Sequence, residues 1–333
     1  MDDAPAVMTA AYITGHGPAD RIRVGDLPVP VPGPTDVLVR TEALAVNHVD
    51  TFVRSGAYST HTPFPFVIGR DLVGTVAACG AGVPGFQPGD RVWCNSLGHG
   101  GRQGSFAQYA IVPVERLYRL PAGVSPDTAV SVLHTAATAH IGLFREGRIR
   151  VGETVLVNGA AGGVGSAVIQ LAVAAGARAV ATASEQDADW CLALGAHTVV
   201  DYHDPHATKH IQDATPGGVD IFWDNSGEND IEATLPLLAQ GGRVIVVAGL
   251  RSRPTLPAGE LYLRDMSIRG FAISNASISD LRSAATTING LLAADGLRTR
   301  IGATLPLSDA AEAHRLQESR GPHRVRGRIV VLP

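Results

Sequence analysis

A chain of 333 residues with 45% hydrophobic and 17% charged residues and 38 glycines is long enough for two domains with large buried cores. This composition excludes disordered and fibrous chains, and a formal net charge of -4 argues against a nucleic-acid surface. Three widely separated cysteines, Cys79, Cys94 and Cys191, without CxxC spacing, predict neither a disulfide framework nor a structural zinc.

The chain opens with acidic residues and lacks the positive start and long apolar core of a signal peptide. Its most apolar region, around 164–183, is broken by Gln170, Gly176 and Arg178, so no membrane span is predicted and the cytoplasm is the expected location. Residues 1–127 are dense in Pro and Gly turns separating short runs at 36–40, 73–76 and 91–93, the pattern of a compact antiparallel β domain. Pro126, Asp127 and Thr128 open a helix, apolar over 129–143, that is expected to link two domains.

From residue 153 the pattern changes to alternating strands and helices. Val155, Leu156 and Val157 suit a buried parallel strand, and 166–175 repeat apolar residues at helical spacing. Between them lie Gly159, Gly162, Gly163 and Gly165. Glycines so placed permit a tight turn and close backbone approach to a pyrophosphate, set against the unpaired N–H groups of a helix starting near Gly163. A lone glycine turn is weak evidence. Here strand-like runs at 178–183 and 198–202, with a helical 187–194 between them, complete the β-α-β-α-β order of a mononucleotide-binding half. Further strands are predicted at 219–224, 242–248 and 266–271, then helices at 279–294 and 308–318 and a final strand at 328–332. That last strand needs a sheet, and the N-terminal β domain is its expected host. The clustered Arg320, Arg324, Arg326 and Arg328 read as a solvated basic face.

Several motifs together, in this order, carry a resemblance. They are the stretch from Asn47-His-Val-Asp50 to Tyr58, Ile68-Gly-Arg-Asp71, Pro88-Gly-Asp-Arg-Val92, the segment 104–110, the glycine turn, Gly241-Gly-Arg243 and Gly327-Arg-Ile-Val-Val331. The chain resembles the medium-chain dehydrogenase/reductase superfamily and, within it, the zeta-crystallin-like quinone oxidoreductases. The resemblance implies an α/β chain with a discontinuous GroES-like catalytic β domain (1–127 and 275–333) and a Rossmann domain (128–274), a doubly wound parallel sheet, with nicotinamide in the cleft between them.

The superfamily's alcohol dehydrogenases hold zinc. This chain has Asn47 in place of their Cys ligand and Gly69-Arg70-Asp71 in place of their Gly-His-Glu, and a guanidinium does not ligate metal. Their four-Cys lobe is absent, its region shortened to 94–104, where His99 is a lone loop histidine. No metal site is therefore expected. Without a Lewis acid, alcohol oxidation loses its main source of alkoxide stabilisation, whereas quinones and α,β-unsaturated carbonyls need only hydrogen-bond donors.

The resemblance also implies roles residue by residue. Asn47 lies by the nicotinamide, its amide reaching cofactor or acceptor; the plainer reading is a turn-forming Asn that bonds its own backbone. Asp50 holds Asn47 or Arg54 in place. Tyr58 donates to the developing oxyanion, or is a packed rim aromatic, and His48 replaces a usual proline. Thr138, in Thr138-Ala-His140, faces the nicotinamide. Gly159, Ala161, Gly162, Gly163 and Val164 form the pyrophosphate turn. Asn225, Gly249, Phe271 and Ile273 fall at C-terminal strand ends, with Gly249 admitting the ribose and the backbone of Phe271 and Ile273 meeting the carboxamide. Ser184, Tyr202 and the late Arg320 match positions around a 2′-phosphate, but Glu185 and Asp187 oppose one, and no Lys or Arg occurs between Arg178 and Lys209. NADPH is expected, with NADH the alternative. The expected activity is hydride transfer from NADPH to a quinone, as a homodimer. An enone or enoyl reductase and a non-catalytic NADPH-binding protein are the competing readings.

Overall fold

A computed structural model describes residues 5–321 and 324–333. The chain divides into two compact units, one made of residues up to 134 together with 277–333, the other of Thr135–Ala276.

The first unit is built on a seven-stranded sheet. Its path runs Ile301–Pro306, Arg328–Leu332, Asp36–Val46, Asp71–Cys79, Arg91–Cys94 and Tyr118–Arg119, and Tyr109–Pro113 pairs with Asp36–Val46 off that path. Neighbours are antiparallel except Ile301–Pro306 with Arg328–Leu332, which are parallel. A three-stranded sheet of Arg23–Pro28, Val7–Ile13 and Phe66–Val67 completes the unit's strands. Its core gathers Ile13, Val39, Leu44, Phe66, Leu72, Leu97, Phe106 and Val331, all buried. The C-terminal strand does join the N-terminal β domain: Ile329 pairs with Val46 and Val331 with Leu44. That register sets Arg328 beside Asn47, at the end where the long strand gives way to the helix His48–Ser55.

The second unit is a six-stranded parallel sheet in the order Thr198–Asp201, Arg178–Ala183, Thr154–Asn158, Val219–Asp224, Leu238–Val246, Ser267–Gly270. The order reverses around Thr154–Asn158, which makes the carboxyl end of that strand the place where an open α/β sheet binds ligands. The helix after it, Gly163–Ala174, starts where the glycine pattern placed it. Three details depart from expectation. The strand predicted at 242–248 starts earlier, at Leu238, and ends at Val246, because its pairing shifts register between Val219 and Ile221. The helix predicted at 187–194 is a 3₁₀ turn, Glu185–Asp187, followed by Ala188–Ala193. The helix predicted over 129–143 stops at His140 and continues as a π-helical turn, Ile141–Glu146, where a Cβ on Gly142 would stand 2.2 Å from the Trp223 ring. Among the described residues no helix is long and apolar enough to cross a membrane.

Candidate active site

Two groups of residues carry the chemistry, one in each unit. In the first, a polar cluster is buried where the Asp36–Val46 strand ends. Asn47 is 2% exposed, and its backbone N–H donates to Asp50 Oδ2 at 2.8 Å. Its side-chain amide donates to Asp71 Oδ2 at 3.0 Å and accepts from Arg328 Nη2 at 2.6 Å. Arg328 also donates to the carbonyls of Ser131 and Val46, at 3.0 and 3.1 Å. Arg70 follows Gly69, whose φ of +90° suits glycine and where a Cβ would stand 2.2 Å from the Phe106 ring. This turn aims the Arg70 guanidinium inward, with Nε 3.9 Å from Asp50 Oδ1. His134 Nδ1 lies 3.9 Å from Asp71 Oδ1.

Four buried charges, two Arg and two Asp, therefore oppose one another around one neutral amide. Burial raises Asp50 to about 6, against the Arg70 charge and the Asn47 N–H, and raises Asp71 to about 7, against the Asn47 amide. Burial, then the Arg70 and Arg328 charges, keep His134 neutral well below its usual value. His48 is exposed at the start of its helix, where its ring meets the Gln317 amide, and the surrounding protein and then the Arg328, Arg324 and Arg320 charges lower its pKa. His99 is half-buried and held to about 4 by burial and Arg70, and its ring lies 5.9 Å from that of half-buried Tyr58.

In the second unit the glycine turn closes tightly. Gly159 has φ +71°, and a Cβ on Gly165 would stand 2.4 Å from the Gly159 carbonyl oxygen and 2.7 Å from Ala160 Cα. Gly162 caps the helix without any side-chain hydrogen bond to its first turn, leaving those N–H groups for an anion. The strand ends beside it are tied together: Thr182 Oγ1 donates to Asn158 Oδ1 at 2.8 Å, Asn158 Nδ2 to Asp224 Oδ1 at 3.3 Å, and Ser226 Oγ to Asp224 Oδ1 at 2.6 Å. This is a rigid frame for a dinucleotide, and the residues present fit one.

Ala161, Gly162, Gly163 and Val164 line the start of that helix. Asn225 lies at the predicted strand end, but its amide donates to the Asn158 carbonyl and accepts from Trp223 Nε1, so it props the turn. Gly249, at φ +89°, packs against Gly227, where a Cβ would meet the Gly227 carbonyl at 2.6 Å. Phe271 sits edge-on to Trp223 with Arg145 over its face, just before the 3₁₀ turn Ile273–Asn275. Thr138 is buried in the helix Pro126–His140. Ser184 Oγ donates to Asp187 Oδ2 at 3.1 Å, and half-exposed Tyr202 stacks on His203 with ring centroids 4.2 Å apart. Arg320 lies in the first unit, its charge acting on His48 with those of Arg324 and Arg328. Arg54 is not Asp50's partner: it is buried and paired to Glu318 at 2.5 Å.

The alcohol dehydrogenase GroES-like domain family matches residues 33–122, and the zinc-binding dehydrogenase family matches 163–289. Mouse quinone oxidoreductase is 33% identical over 319 residues, covering 94% of this chain and 95% of its own length. The chain belongs to the medium-chain dehydrogenase/reductase superfamily, among the zeta-crystallin-like quinone oxidoreductases. It is an NAD(P)H-dependent oxidoreductase. Solved structures share its fold over nearly its whole length. A structure described as an NAD-dependent alcohol dehydrogenase is 35% identical with a TM-score of 0.88, covering 98% of this chain and all of its own. A mycobacterial protein solved with NADPH is 29% identical with a TM-score of 0.84, again over 98% of this chain and all of its own.

Zinc, which one family's description carries, does not fit the residues of this medium-chain dehydrogenase/reductase. Asn47 is a neutral amide bonded to Asp71 and Arg328, and Arg70 brings a cation beside Asp50. Among the described residues, no three His, Cys, Asp or Glu side chains are grouped to hold a metal ion. In the sequence Arg70 and Asp71 stand out only as missing ligands, and Arg328 reads as part of a solvated basic face. Arg328 is in fact buried, because the final strand carries it into the sheet beside Asn47.

Proposed function

We propose that this protein is a zinc-independent NADPH:quinone oxidoreductase. The observation that supports the reading is the buried cluster of Asn47, Asp50, Arg70, Asp71 and Arg328, which holds cations and an amide at sequence positions that, by the resemblance, carry the zinc enzymes' ligands. Quinone oxidoreductases over nearly the whole length of the chain support the substrate class, and the NADPH-bound mycobacterial relative supports the cofactor.

When bound, the reduced nicotinamide supplies a hydride. The glycine turn at 159–165 and the helix start it feeds would hold the pyrophosphate, and Thr138, Gly249, Phe271 and Ile273 the nicotinamide half. Asn47 is fixed by Asp71 and Arg328, so it keeps one amide hydrogen for cofactor or acceptor. Asp50 positions Asn47 through its backbone N–H. Tyr58 donates its hydroxyl proton to the acceptor oxygen as charge builds there.

A second reading of the cofactor has one observation in its favour. Asp187 is tied to Ser184, putting a carboxylate beside the hydroxyl that a 2′-phosphate would need; this suits the free ribose 2′-OH of NADH. Oxidation of NADPH and NADH measured in parallel against quinones and enones tests the whole reading. Quinone turnover with NADPH is expected. Turnover confined to enones sinks the substrate class, and turnover confined to NADH sinks the cofactor.

Replacing Tyr58 with Phe is expected to lower kcat by about a hundredfold, the low end of what a positioned acid supplies, with cofactor affinity unchanged in a fluorescence titration. Unaltered kcat would return Tyr58 to a packing role beside His99. The protein is further proposed to be a homodimer through the strand Ser267–Gly270, which ends the parallel sheet. Sedimentation equilibrium at the monomer mass would reject this.

A further inference from the structure

Arg70 is 2% exposed, yet its Nε and Nη2 lie without any hydrogen-bond partner, and the nearest carboxylate oxygen, Asp50 Oδ1, is 3.9 Å from Nε, beyond hydrogen-bond length. Arg328, the other guanidinium of the cluster, is in contrast bonded to Ser131, Val46 and Asn47. Buried charged donors left unmade are rare in native proteins and point to a group that arrives later. Arg70 is held in this state. Gly69 admits no side chain against Phe106 and Ser105, and a Cβ on Gly98 would meet the Gly69 carbonyl at 2.6 Å, so the shortened loop clamps the turn that carries the guanidinium. Tyr58 and His99 lie within electrostatic range of it.

We propose that Arg70 is the oxyanion-receiving residue of this site, its free Nη2 taking the oxygen of a quinone or related conjugated carbonyl on which negative charge develops. The inference rests on the hydride-transfer reading above. As hydride adds to one end of the acceptor's conjugated system, the displaced electron pair moves to the oxygen at the other end. That oxygen, paired with the guanidinium, then takes a proton from Tyr58 or water and leaves as hydroquinone or enol. A fixed cation thereby does for a conjugated acceptor what a Lewis-acidic metal does for an alkoxide. Raised Asp50 and Asp71 support this, since carboxyls partly protonated near neutrality leave the guanidiniums under-balanced.

The test uses 4-nitrophenol, a coloured mimic of the reduced oxygen whose ionisation lies near neutrality, titrated with pH on the protein saturated with oxidised cofactor. A guanidinium in contact lowers the bound phenol's pKa by roughly 1–3 units. Wild type is expected to show this shift, and Arg70→Gln to lose it together with on the order of a hundredfold of kcat/KM for the acceptor, while cofactor affinity holds. An equal shift in Arg70→Gln and wild type overturns the proposal. So does an unshifted phenol in wild type, a result that stands even if the glutamine variant does not fold. The optical shift is independent of turnover, so failure of quinone and enone reduction would count against the functional reading alone.

Discussion

Gly165→Ala is expected to abolish useful cofactor binding while leaving the sheet assembled. The added Cβ would stand 2.4 Å from the Gly159 carbonyl oxygen and 2.7 Å from both Ala160 Cα and Ala160 O, all backbone atoms that cannot swing aside. The helix Gly163–Ala174 must then move off the turn, and its first N–H groups move with it. Losing two such donors to a charged pyrophosphate, at ~1.5 kcal/mol or more each, weakens binding by on the order of a hundredfold. Overpacking itself is expected to remove a further ~1–3 kcal/mol of stability. Fluorescence titration with NADPH and NADH, alongside urea unfolding, measures both effects. Wild-type affinity in the alanine variant would show that the turn is not the pyrophosphate site.

Arg328→Met is expected to be the most destabilising single change in the first unit, by ~3–5 kcal/mol, because it leaves Asp71 and Asp50 buried without one of their two cations. It also removes the donors to Ser131, Val46 and the Asn47 amide. The loss has a pH signature. Both carboxyls titrate in the folded protein above their ordinary value, Asp50 near 6 and Asp71 near 7. The stability that a raised carboxyl contributes is complete below its unfolded pKa and is lost as pH rises through its folded one. Without Arg328 both folded values climb further, so the deficit is largest above about pH 7 and shrinks toward about pH 5. Urea unfolding of both proteins at these two pH values decides the matter. A deficit of equal size at both would mean that Arg328 acts by packing and neutral hydrogen bonds alone.

Much of the fold was legible because its signals are local. The alternation of strands and helices from residue 153, the helix start at Gly163 and the strand Arg178–Ala183 all follow from residues adjacent in sequence. Val7–Ile13 escaped notice because two alanines, weak strand formers, sit at its centre. Ile301–Pro306 escaped because it is mostly exposed and shows no apolar stripe. The site was legible in half. Asn47, Arg70 and Asp71 stood out by replacing metal ligands, but their arrangement depends on partners far away in sequence. Arg54 illustrates the limit: Asp50, four residues away, was expected to hold it or Asn47, and while Asp50 bonds Asn47, Arg54 reaches Glu318, 264 residues on. Arg328 is the sharper case: of the four arginines it alone falls in the predicted final strand, but nothing local tells that its charge is buried beside Asn47.

The register of the last strand has a consequence for biosynthesis. Every strand of the parallel sheet lies between residues 154 and 270, so that unit can close as soon as its stretch leaves the ribosome. The edge at Leu44–Val46 has to wait for Ile329, Val330 and Val331, nearly the whole length of the chain later. Until then the nascent protein carries an unpaired apolar strand edge, the kind of surface that chaperones hold and that neighbouring chains capture. The same few residues deliver Arg328 to Asp71 and Asp50. Completion of the seven-stranded sheet and neutralisation of its buried carboxylates are thus a single event, waiting on the synthesis of Arg328 to Val331.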